Sequence, residues 1–198
     1  MLPLALVTGF GAFEKVAENP SGLLARGLHA SPPTGWRVVG AELPVSFQRA
    51  PEAFERFFDE EVDGEPALFV PMGVHKEPGF RLERWARGAP QGKPGRRDND
   101  GLELADVERG GPDLASALPL DALASELGRR SGEDCFVSED AGGYVCERVY
   151  HRVLTRAGAA PAVFLHVPPL RFTPLERQMA VVHQLFALVA EGLDGASS

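Results

Sequence analysis

The chain has 198 residues, 44% hydrophobic and 24% charged, which suits one globular domain with its own core and excludes a disordered or fibrous polypeptide. Its formal net charge of −8 argues against nucleic acid as a partner, because a phosphate backbone calls for a basic face. The apolar opening at residues 1–7 is too short to span a bilayer and follows no basic residue, so neither a membrane span nor a secretory signal is expected and the cytoplasm is the expected compartment.

In chain order, short apolar runs predict strands at 4–8, 37–43, 67–72, 134–137 and 162–166. Helical stretches are predicted near 21–29, 47–60, 144–157 and 174–191. This alternation predicts a single α/β domain over residues 1–198, a layered sandwich with a mostly parallel central sheet. The last helix carries the clearest start signal: Thr173 as N-cap, Pro174 in the first turn and Glu176 completing a capping box. Leu175, Met179, Val182, Phe186 and Val189 then recur at helical spacing, a stripe that predicts core packing. Residues 87–113 are rich in Gly, Pro, Arg and Asp without periodicity, the mark of a functional loop, an oligomer contact or a disordered segment. Residues 192–198 are small and polar and are expected to fray.

Two cysteines, Cys135 and Cys146, make neither a disulfide framework nor a metal cluster, and both are expected as free thiols. Cys135 lies in a strand pattern and reads as core. Cys146 follows a strand and the pair Gly142-Gly143 and falls in the first turn of a helix. Unpaired N–H groups and the helix dipole favour a thiolate there, and the same N–H groups could hold an oxyanion. A buried structural cysteine is the plainer alternative. A nucleophilic thiol needs an oriented base. His166 ends an apolar strand at the edge where sites gather in open α/β sheets, although a histidine packed at a strand end fits the same pattern. His75, after the strand at 67–72, is a second candidate for the pocket.

The segment Ser138-Glu139-Asp140-Ala141-Gly142-Gly143-Tyr144-Val145-Cys146-Glu147-Arg148-Val149-Tyr150 resembles the signature of the pyroglutamyl-peptidase (pyrrolidone-carboxylate peptidase) family, Ser-Asn-x-Ala-Gly-x-Tyr-Val-Cys-Asn-x-x-Tyr. Further likenesses follow in order: Thr8-Gly9-Phe10-Gly11-Ala12-Phe13, Asn19-Pro20-Ser21, Glu83-Arg84-Trp85-Ala86, Asp98-Asn99-Asp100-Gly101 and His166-Val167-Pro168. The resemblance implies a cysteine exopeptidase that removes N-terminal pyroglutamyl residues from peptides. It implies a triad of Cys146, His166 and Glu83, an aromatic sandwich of Phe10 and Phe13 around the lactam, no metal or other cofactor, an α/β/α fold and a homo-oligomer, often a tetramer.

The sequence also departs from that pattern. Glu139 and Glu147 stand where the signature has Asn, and Asp140 adds a third carboxylate; negative charge beside a thiol disfavours the thiolate, while carboxylates at a helix start also suit its dipole. His75 stands where many members have a Gln able to hydrogen-bond the lactam. Lys93, Arg96 and Arg97 are equal candidates for the family's loop arginine. These changes leave two alternatives beside the peptidase: a related amidase with altered specificity, and a non-catalytic relative that binds rather than cleaves.

Overall fold

The apolar runs assemble into one six-stranded sheet. The computed structural model describes residues 2–14, 16–108 and 110–196, with side chains as far as residue 192. In chain order the elements are β1 (Leu4–Phe10), α1 (Pro20–Ala30), β2 (Arg37–Leu43), α2 (Arg49–Glu61), β3 (Leu68–Val74), β4 (Phe80–Glu83), β5 (Trp85–Ala86), β6 (Leu114–Ala115), α3 (Leu120–Ser131), β7 (Cys135–Ser138), α4 (Val145–Ala157), β8 (Phe164–Val167) and α5 (Leu175–Ala196). The sheet order is β2-β1-β3-β8-β4-β7. Each pairing in it is parallel except that of β4 with β8, so the last two strands run against the other four.

β1 and β3 are buried along almost their whole length, as strands covered on both faces must be. On one face α1, α3 and α5 seat Leu24, Leu28, Leu127, Val182 and Phe186. On the other, α2 and α4 seat Phe54, Val145, Val149 and Val153. The result is the expected three-layer α/β/α sandwich. The stripe on the last helix packs as predicted: Val182, Phe186 and Val189 are buried, with Leu175 and Met179 against the same core.

α3 and the short strands β4, β5 and β6 stand where no element was expected. α3 buries Leu120, Leu123, Ala124 and Leu127 and ends at Gly132, whose φ of 72° suits glycine. The tail expected to fray at 192–198 continues as α5 to Ala196, and residues 197–198 lie outside the described residues.

Among the described residues the long segment 87–113 is irregular apart from a 3-10 turn at Leu104–Asp106, and side chains of its own tie it down. Asp98 accepts N–H bonds from Phe47 at 2.7 Å and from Asp100 and Leu102 at 2.9 Å. Asn99 donates to Ala12 O at 2.9 Å, which ties the segment to the loop after β1. That loop is itself anchored through Asn19, which donates to Gly11 O and accepts from Ser21, while Ser21 Oγ accepts from the N–H of Phe10.

Candidate active site

Cys146 is the second residue of α4 and reaches its place through a turn in which Gly142 and Gly143 have φ of 93° and 58°. Side chains rarely tolerate such angles, and a Cβ on Gly143 would lie 2.1 Å from Gln91 O. The N–H groups of Glu147 and Arg148 bond to Tyr144 O, while those of Val145 and Cys146 precede the first turn, where a helix leaves its donors without intrahelical acceptors. Four residues after Cys146, Tyr150 shares the same face of the helix. Its hydroxyl donates to Glu83 O at 2.9 Å, which fixes the end of β4 against α4.

His166 stands on β8 and Glu83 on the neighbouring antiparallel strand, where Arg81 is the partner of His166 and Glu83 that of Phe164. Glu83 therefore points from the same face, diagonally across the ladder. His166 Nδ1 donates to Glu83 Oε1 at 2.7 Å, leaving Nε2 for the thiol. Both side chains are almost wholly buried. Burial, the largest influence on His166, disfavours its charge, but hydrogen bonds to Cys146 and then Glu83 overcome it and raise the imidazole to about 9. The three residues brought together thus come from α4, β8 and β4.

They sit on the floor of a cavity of about 720 Å³ walled by Phe10, Phe13, Val45, Val74, Tyr144 and Ala141, with His75, Arg96 and Lys93 also in the lining. Phe10 closes the end of β1, and the Phe13 ring lies 6.2 Å from that of Tyr144. His75 Nε2 donates to Gly79 O at 2.8 Å while Nδ1 accepts the N–H of Glu77 at 3.3 Å. Burial lowers it to about 4, so it is a neutral ring with both nitrogens engaged by its own turn. Of the three cations left open by the sequence, Arg97 turns away to Glu103 and Gly101 O. Arg96 turns inward, its guanidinium 3.7 Å from the Tyr144 ring centroid and 3.6 Å from Glu14.

A profile describing pyroglutamyl peptidases matches residues 4–180. The chain belongs to the pyroglutamyl peptidase family. A pyrrolidone-carboxylate peptidase of Deinococcus radiodurans is 34% identical over 176 residues, covering 84% of this chain and 78% of the relative. One from Bacillus cytotoxicus is 27% identical over 169 residues, covering 82% and 77%. In fold the chain is similar to the pyrrolidone carboxyl peptidase of Thermococcus litoralis, with a TM-score of 0.83 at 24% identity over 98% of this chain and 96% of that one. The enzyme of Pyrococcus furiosus superposes equally well, with a TM-score of 0.83 at 25% identity over 96% and 99%.

Within this pyroglutamyl peptidase fold the acidic departures have structural partners. Glu139 accepts from Arg84 Nε at 2.8 Å and Trp85 Nε1 at 2.9 Å, the two residues after Glu83. Asp140, at the cavity wall, accepts the N–H of Gly142 at 2.8 Å. Glu147 is 1% exposed and points away from the cavity. Burial raises its carboxyl above the ordinary range, against the opposing bonds from the N–H groups of Arg87 and Gly143. Cys135 packs against the core, as expected, and burial pushes its thiol up to about 11.

Gly73 was not singled out by the sequence reading. It is the register partner of His166, and a Cβ there would lie 2.8 Å from Cys146 Sγ and 3.0 Å from the Phe164 ring. Only the pairing of β3 with β8 reveals this, since nothing in the neighbouring residues marks it. Among the described residues no helix is long and apolar enough to cross a membrane.

Proposed function

We propose that the chain removes an N-terminal pyroglutamyl residue from peptides by acyl transfer to Cys146. The observation that carries this reading is the buried imidazole of His166, held at 2.7 Å by Glu83 and sharing the lining of one aromatic-walled cavity with Cys146. The thiol proton passes to His166, and the sulfur attacks the carbonyl that joins the lactam to the next residue. The oxyanion meets the first N–H groups of α4. Imidazolium returns its proton to the departing amine, and His166 then activates a water that hydrolyses the thioester. Glu83 keeps Nδ1 protonated and stabilises the charged ring. Phe10 and Phe13 hold the flat lactam between aromatic faces. His75 contributes ring surface, and Arg96 brings the cation that the cavity needs beside polar substrate atoms. A free reactive thiol of this kind suits a reducing compartment such as the cytoplasm.

Reduced protein is expected to release the fluorophore from a pyroglutamyl aminomethylcoumarin, and Cys146→Ala is expected to show no turnover while folding normally. Fluorophore release by the alanine variant at the parental rate would remove Cys146 from the chemistry. An amidase of different specificity remains a second reading, favoured by the engagement of both His75 nitrogens within their own turn. It predicts that an acyl amide lacking the lactam is cleaved faster in a substrate panel.

For Arg96→Met, kcat/KM is expected to fall about tenfold, the loss of one charge-assisted contact of about 1.5 kcal/mol. Arg97→Met should change it by less than twofold in the same assay. Equal effects at both positions would remove Arg96 from the site.

A further inference from the structure

Glu147 is an acidic side chain buried next to the nucleophile, and the chemistry above makes no use of it. Its two carboxylate oxygens divide between two separate segments. Oε1 accepts the N–H of Arg87 at 3.0 Å, and Oε2 accepts the N–H of Gly143 at 2.8 Å. Gly143 belongs to the positive-φ turn that delivers Cys146, and Arg87 opens the irregular segment whose Gln91 carbonyl lies against Gly143. The carboxylate therefore clamps the nucleophile turn to the segment behind it. Two neighbouring contacts draw the same segments together: Arg87 Nη2 donates to Glu139 O at 3.3 Å, and Glu139 holds Arg84 and Trp85.

We propose that Glu147 is a positioning residue for the acyl-transfer step, fixing the Gly142-Gly143-Tyr144 turn and thereby the N–H groups at the start of α4 that meet the oxyanion. The proposal rests on the acyl-transfer reading above. A carboxylate suits this place because it offers an acceptor to each of two donors. A carboxamide offers one acceptor and presents a donor to the other N–H, so an isosteric amide loosens one arm of the clamp. The turn then gains freedom where the transition state needs fixed donors, and small displacements there have large kinetic effects. Phe10 and Phe13, which hold the lactam, and His166 on β8 stand on other elements, outside the clamp.

The test compares Glu147→Gln and Glu147→Asp with the parent in steady-state hydrolysis of the pyroglutamyl aminomethylcoumarin, in iodoacetamide alkylation of Cys146 and in thermal unfolding. Expected for Glu147→Gln is a kcat lowered tenfold or more, KM within about twofold of the parent, and an alkylation rate likewise within about twofold. Glu147→Asp, which keeps both oxygens on a shorter stem, should recover part of the kcat and decides the matter if the Gln variant does not fold. A lowered Tm with unchanged kcat would make the clamp structural and overturn the proposal, as would failure of both variants to fold. Parallel loss of kcat and alkylation would place the effect on the thiol itself and also overturn it. A parent protein inactive on the pyroglutamyl amide would instead sink the acyl-transfer reading, an outcome distinguishable from the others because it precedes any substitution.

Discussion

Gly73→Ala is expected to silence Cys146 while leaving the sheet in place. The added methyl would lie 2.8 Å from Sγ and 3.0 Å from the Phe164 ring, closer than van der Waals contact permits at either atom. Backbone in the centre of a parallel sheet yields little, so the sulfur must rotate away from His166. A displacement on the order of 1 Å at a reacting atom costs about 10²-fold in rate. The stability cost is that of overpacking, about 1–3 kcal/mol. Kinetics, iodoacetamide alkylation and thermal unfolding check this together: kcat should fall at least 10²-fold and alkylation should slow, with a cooperative unfolding transition retained. Parental kcat in the alanine variant would mean that the thiol does not work from the rotamer described.

The second large effect concerns Glu83→Gln. The carboxylate is buried and meets Nδ1 at 2.7 Å, so an amide keeps the shape and removes the charge. In addition, an amide nitrogen turned to His166 would impose the wrong tautomer. Replacing the acid of a triad by its amide lowers kcat on the order of 10⁴-fold in the well-studied serine case, and a loss of 10³-fold or more is expected here. The pH profile supplies an independent sign. His166 is raised to about 9 in the folded protein from an ordinary value of 6.5. A charged, hydrogen-bonded imidazole therefore contributes stability that is fully present below about 6.5 and is lost as pH rises through about 9. Activity of a thiolate–imidazolium pair should decline over the upper part of the same window. Without the Glu83 charge the alkaline limb of kcat/KM should move to lower pH. An unmoved limb with an undiminished kcat would show that Glu83 does not orient or stabilise the imidazole.

Much of the fold could be read from local patterns. The strand at residues 37–43 has the bounds predicted, and the Cys146 helix starts within one residue of the expected place. Both have apolar spacing of the right period and, for the helix, a glycine pair before it. α3 escaped notice although Leu120, Leu123, Ala124 and Leu127 have helical spacing. It starts after Pro119 with no side-chain cap, so the usual start signal is missing. The short strand β4 is defined by its neighbours β7 and β8, and four residues carry too little periodicity to announce it.

The site divides in the same way. Cys146, His166 and Glu83 are picked out by chemistry and by resemblance, and all three line one cavity, with His166 and Glu83 hydrogen-bonded. Gly73 and the inward turn of Arg96 depend on register and on how residues 87–113 fold back, which no local pattern encodes. The acidic replacements looked like a threat to the thiolate. Glu139 instead grips Arg84 and Trp85, and the carboxylate of Glu147 is turned to two backbone N–H groups, facts that only the packing of distant segments supplies.

The position of β8 has a consequence for biosynthesis. It follows every other described strand of the sheet in the chain, yet it occupies the middle of the sheet, between β3 and β4. Before it arrives, β2-β1-β3 and β4-β7 are two half-sheets with facing, unpaired edges, and Glu83 has no imidazole to hold. Docking of a single four-residue strand joins the halves, covers both edges and supplies His166 in one event. A nascent chain thus gains the central pairing of its sheet and the His166–Glu83 hydrogen bond together.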